Sequence, residues 1–110
     1  MAEARYEIRL APASATEGIE LAVTLLDDRG SRLRREQLHL AVEGYGSFAE
    51  GTTLTEKDEQ SNDDGEAHVT WWKYPRPVPR PEIKAIIKAA CNSPGCEVGF
   101  RHVKTIYGNI

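Results

Sequence analysis

Apolar residues recur at every second position along most of the chain. Tyr6, Ile8 and Leu10 alternate with Arg5, Glu7 and Arg9, and Ile19, Leu21, Val23 and Leu25 alternate with Glu20, Ala22 and Thr24. Leu38, Leu40 and Val42 alternate with His39 and Ala41. The same period returns at Ala67, Val69 and Trp71, at Ile83, Ala85, Ile87, Ala89 and Cys91, and at Val98 and Phe100. Successive side chains of a strand point to opposite faces, so a period of two predicts strands with one buried flank each. The predicted strands lie near 5–11, 18–26, 37–43, 66–73, 82–91 and 96–106, with a weaker one at 52–55. Residues 82–90 can also be read as a short helix, because Pro81 is tolerated at a helix start.

Turn chemistry separates these stretches. Asp27-Asp28-Arg29-Gly30 follows the second strand and Glu43-Gly44-Tyr45-Gly46 follows the third. Asn62-Asp63-Asp64-Gly65 precedes the tryptophan strand, and Asn92-Ser93-Pro94-Gly95 divides the last two. Each supplies Gly, Pro or Asn where the backbone must reverse. Short strands at this spacing predict an all-β fold, an immunoglobulin-like antiparallel β-sandwich of about seven strands. At 110 residues the chain fits a single domain, residues 1–110, expected to be a module of a longer protein. In that topology the connection after the second strand, the acidic one before the tryptophan strand and the cysteine turn share one end. The start and finish of the chain fall at opposite ends, a shape that can be threaded head to tail.

Composition narrows the function. Hydrophobic residues at 40% and charged residues at 28% belong to a globular protein and not to a disordered tail. A net charge of −3 argues against a nucleic-acid partner, since phosphate contacts need a basic footprint. No apolar run approaches the roughly 20 residues that span a bilayer, so no membrane insertion is expected. The opening residues lack the apolar core of a signal peptide.

The stretch Gly18–Leu25, the turn Asp27-Asp28-Arg29-Gly30, the stretch Leu38–Gly46 and the run Asn62-Asp63-Asp64-Gly65-Glu66-Ala67-His68-Val69 resemble the bacterial immunoglobulin-like domains of the invasin and intimin type. The resemblance covers roughly residues 18–90 and rests mostly on turn chemistry. Glu59-Gln60-Ser61 stands where that pattern has threonine, and the cysteine pair is outside it. The resemblance implies an extracellular spacer or adhesion module without catalytic activity. Antibody-type features are missing: Trp71 falls on the fifth strand, and Ala89 stands two before Cys91 where a tyrosine corner needs Tyr.

Cys91 and Cys96 flank a four-residue turn and share inward parity. Directly opposed hairpin residues stand about 4.5–5.5 Å apart, within disulfide range, and such a bond signals an oxidising compartment. Two reduced core thiols are the alternative reading. A zinc site from Cys91, Cys96 and His102 lacks a fourth ligand. The connection 56–66 carries six acids, which makes Asp58, Asp63 and Asp64 a weak calcium candidate, although no EF-hand register fits. Arg32, Arg34 and Arg35 lie in the connection expected beside it. They read either as charge compensation between loops or as apex contacts for a partner.

Trp72 is adjacent to Trp71 and so has outward parity, with His68 on the same face and Tyr74 just beyond. Exposed aromatics anchor partners or stack on sugars, so Trp72, His68 and Tyr74 are candidate ligand-binding residues. His39, His68 and His102 lie on separate strands without an acid at recognisable spacing and read as surface histidines. Gly44-Tyr45-Gly46-Ser47-Phe48-Ala49 fits a dinucleotide fingerprint in letters only, since no helix can open there. Pro75, Pro77, Pro79 and Pro81 recur at every second residue, not the spacing of three that polyproline recognition needs, and read as a stiff connection.

The expected function is a non-catalytic structural or adhesion module of a secreted or cell-surface bacterial protein, with no cofactor. Its partner would be another protein or a neighbouring module of the same chain. The periplasm also fits the oxidising requirement. The alternative is a carbohydrate-binding sandwich module that takes a glycan on its exposed aromatics.

Overall fold

The computed structural model describes residues 2–11, 14–51, 53–74 and 82–108. The proline connection at 75–81 lies outside them. Seven strands form in order: β1 Ala2–Leu10, β2 Thr16–Leu26, β3 Gln37–Gly44, β4 Glu56–Gln60, β5 Glu66–Trp72, β6 Ile83–Cys91 and β7 Glu97–Tyr107. They build two antiparallel sheets, β1-β6-β3-β4 and β5-β2-β7. No helix is present among the described residues, and residues 83–91 are strand throughout.

The alternation in the sequence is the alternation of burial. Ile19, Leu21, Val23 and Leu25 of β2 face Ile83, Ala85, Ile87 and Ala89 of β6, with Leu38, Leu40, Ala67, Val69, Trp71, Ile8 and Phe48 completing one core. Each large aliphatic buried there is worth roughly 1.5–3 kcal/mol in transfer from water. The outer face of the four-stranded sheet is charged and internally paired. Arg9 holds the Glu7 carboxyl below its ordinary value, and Lys88 does the same for Glu43. Exposed pairs of this kind stabilise little.

The connectivity departs from the constant-type immunoglobulin order in its outer strands, and β4 pairs with β3 instead of β5. There the first strand lies beside the second and the last beside the sixth. Here the terminal strands have exchanged sheets. β1 pairs with β6 from Ala2↔Cys91 to Leu10↔Ile83, and β7 pairs with β2 from Leu26↔Glu97 to Thr16↔Tyr107. β1 therefore starts at the pole that carries the connections 27–36, 61–65 and 92–96. β7 finishes at the other pole of the 45 × 23 × 20 Å body.

Two expectations are corrected. The fourth strand is not at 52–55 but at Glu56–Gln60, inside the stretch read as an acidic loop. Among the described residues it is an edge strand that pairs only with β3, and its half-buried positions are Lys57 and Glu59, which bond each other at 2.8 Å. The cysteines do form the disulfide, but not across a paired hairpin. Cys91 ends β6 in one sheet and Cys96 precedes β7 in the other, so the turn crosses between layers, with the Cα atoms 6.3 Å apart. Both residues are buried, and their bond joins the two sheets covalently at the pole where β1 begins.

Candidate functional site

At the first pole three connections are locked together. Ser61 is 1% exposed and holds the 31–36 segment with four bonds. Its hydroxyl donates to the Leu33 carbonyl at 2.7 Å and accepts from the Glu36 amide at 2.9 Å. Its amide donates to the Glu36 carbonyl, and its carbonyl accepts from the Arg35 amide. Glu36 in turn accepts a bond from the Ser93 hydroxyl in the disulfide turn. Nothing in the periodicity marks Ser61 or Glu36, because each acts through turn backbone and not through a strand face.

The arginines of this pole divide. Arg35 sits in the left-handed region at φ 55° and pairs with Asp63 at 2.9 Å. Arg32 donates to the Asp64 carbonyl at 3.2 Å and lies 3.9 Å from Glu66, which also takes Arg101 at 3.2 Å. Arg34 makes no ion pair among the described residues and lines an open cleft of about 700 Å³ with Gly30, Ser31, Arg32, Asp63, Asp64 and Glu66. Charge compensation between loops thus accounts for Arg32 and Arg35. The calcium candidates are not gathered. Asp58 stands on β4, Asp63 is paired with Arg35, and no group of three metal-ligating side chains converges among the described residues. The sulfurs of Cys91 and Cys96 are bonded to each other and do not join His102.

His39 was expected to be unpaired; it is not. The β3–β4 register sets it opposite Asp58, with Nδ1 2.8 Å from Asp58 Oδ1 and Nε2 3.4 Å from Glu56 Oε1. The bond to Asp58 chiefly, opposed by partial burial and aided by Glu56, raises the imidazole above 6.5. A group raised on folding contributes its stability below its unfolded value and loses it as pH climbs through the folded value. His39→Gln should therefore destabilise most at about pH 6, by no more than about 1 kcal/mol for an exposed pair, with the deficit vanishing towards about pH 8.5. Paired urea titrations of the two proteins at both pH values measure it; an equal deficit at both would show that the ion pairs contribute nothing.

The second pole holds the aromatic candidates. Trp72 lies on the outer face of β5 across Gly18 of β2, where a Cβ would meet the indole at 2.9 Å. The six-membered part of the indole thus packs closely on Gly18. Ser47 bridges to Trp72 in both directions, N to O at 3.0 and 2.8 Å, which brings the 45–51 bend alongside. Tyr74 is held by the edge of Tyr45, ring centroids 4.6 Å apart, and the Tyr45 hydroxyl donates to the Tyr74 carbonyl. Burial raises that hydroxyl above its ordinary value, so it remains a donor.

Trp72 and Tyr74 share a cavity of about 330 Å³ with Glu17, Glu50, Gly51 and Lys73. His68, grouped with them in the sequence, is elsewhere: it stands opposite Ala22, beside Glu20 at 3.8 Å. Glu17 and Glu50 were not foreseen. Glu17 arrives through the amide of Lys73, which donates to its carbonyl at 2.8 Å, and Glu50 through the Ser47 bridge. Comparison with family models, curated proteins and solved structures found no match for this chain.

Proposed function

We propose that this chain is a non-catalytic spacer or partner-binding module of a secreted or cell-surface bacterial protein, of the kind seen in invasin and intimin. The observation that carries the reading is the exit geometry. Tension between the two termini pulls β1 along its ladder with β6 and β7 along its ladder with β2. Inter-strand hydrogen bonds run perpendicular to the strands, so this load shears whole ladders at once instead of unzipping them bond by bond. The disulfide between the sheets adds a covalent tie at the pole where force enters, and suits an oxidising location outside the cytosol.

Single-molecule pulling on several copies of this chain joined in tandem tests the reading. Each module should rupture in one step and release about 300 Å of chain, given at most ~3.6 Å per extended residue. Gradual lengthening without discrete ruptures would remove the mechanical role. The glycan alternative draws on Trp72 and Tyr74 sharing a cavity; His68 does not contribute to it.

A further inference from the structure

The geometry points to the Trp72 cavity as a receptor for a cationic side chain, a guanidinium or alkylammonium presented by a partner protein. The inference builds on the partner-binding half of the proposal above, and its failure would leave the spacer half standing.

The cavity has a built aromatic wall. The indole of Trp72 packs closely over Gly18, where a Cβ would meet it at 2.9 Å, and Tyr74 packs against the Tyr45 ring. The Trp72 side chain is half-buried and lines the cavity, so part of the indole is presented to it. A cation over an aromatic face is attracted by the ring quadrupole, most strongly for Trp.

The charges around the wall favour the same ligand. Glu17 and Glu50 are exposed at the rim, and neither forms an ion pair among the described residues, whereas Glu7, Glu43 and Glu66 all do. The one cation of the lining, the Lys73 ammonium, forms no ion pair with either among the described residues and donates to the Ser14 carbonyl at 3.0 Å. The Glu17 carboxylate lies against Gly108, where any Cβ would strike it, so its position depends on that glycine. Two unneutralised carboxylates beside an aromatic face offer a guanidinium both stacking and charge-assisted hydrogen bonds. A neutral sugar would use the stacking but leave the charge unanswered. At about 330 Å³ the space admits one long side chain, at the low end of ligand cavities.

The test follows the two indole N–H resonances by NMR while N-acetyl-arginine amide or tetramethylammonium is added at millimolar concentration. The Trp72 signal and the Gly51 amide should shift together in a saturable way. The Trp71 indole, fully buried and bonded to the Tyr45 carbonyl, should not move. The double variant Glu17→Gln, Glu50→Gln keeps the aromatic wall and should weaken binding about fivefold, the worth of roughly 1 kcal/mol. Gly108→Ala, which displaces the Glu17 carboxylate, should weaken it in the same direction. No selective shift at saturating cation would overturn the inference. So would a shift produced by neutral methyl glycosides and not by the cations, which would mark a glycan subsite instead.

Discussion

Gly46→Ala is expected to cost about 3 kcal/mol or more, an effect far above that of an ordinary loop substitution. Gly46 has φ 106°, a conformation that L side chains rarely adopt. The space a methyl would fill is already taken: a Cβ there would run into the Trp71 indole and come within 2.7 Å of the Trp72 carbonyl. Trp71 cannot yield cheaply. It is fully buried, and its Nε1 donates to the Tyr45 carbonyl at 2.9 Å, one residue before the glycine. The bend and the indole are therefore one unit. Trp71→Ala alone should cost about 3–5 kcal/mol through the cavity it leaves. The double variant should cost less than the sum, because one of the clashes is then gone. Urea midpoints of the three variants give the cycle. A Gly46→Ala protein within about 1 kcal/mol of the parent would show that the bend relaxes freely and is not tied to the indole.

Ser61→Ala should cost about 2 kcal/mol, although it removes a single oxygen. That oxygen serves two backbone groups, the Leu33 carbonyl and the Glu36 amide, in a place with almost no access to water. A buried donor or acceptor left without a partner costs its full desolvation, about 1–3 kcal/mol. The loss is local as well as global. Hydrogen exchange at Glu36 should accelerate well beyond that of amides in the β2–β5 ladder, and the contact between Glu36 and Ser93 should loosen with it. Unchanged protection at Glu36 would mean that water or a shifted loop replaces the hydroxyl.

The seven-stranded sandwich was legible because six strands place apolar residues on one flank, and burial on folding follows that flank directly. β4 was not, for a physical reason. Its partly buried positions are Lys57 and Glu59, which satisfy each other on an edge strand, so Glu56–Gln60 has the letters of a solvated loop. Losing β4 also hid the partners of His39, since Asp58 and Glu56 are neighbours only through the β3 register. Parity placed both cysteines inward correctly, but parity says nothing about which sheet a strand joins. The crossing of the disulfide between layers, like the exchange of β1 and β7, is a property of long-range pairing. Trp72 was legible as an outward aromatic. Its support by Gly18 and its acidic neighbours came from β2 and from the 45–51 bend, which reach Trp72 only in the folded chain.

The exchanged outer strands also shape how the protein is born. While it is being synthesised, residues 2–10 have no partner until 83–91 emerge, and one flank of β2 stays open until the last strand follows. Loop closure over such spans must precede any reward from pairing, which slows acquisition of the native state. Until those strands appear only the β2–β5 and β3–β4 ladders can close, so two separate pairs wait for β6 and β7 to join them into layers.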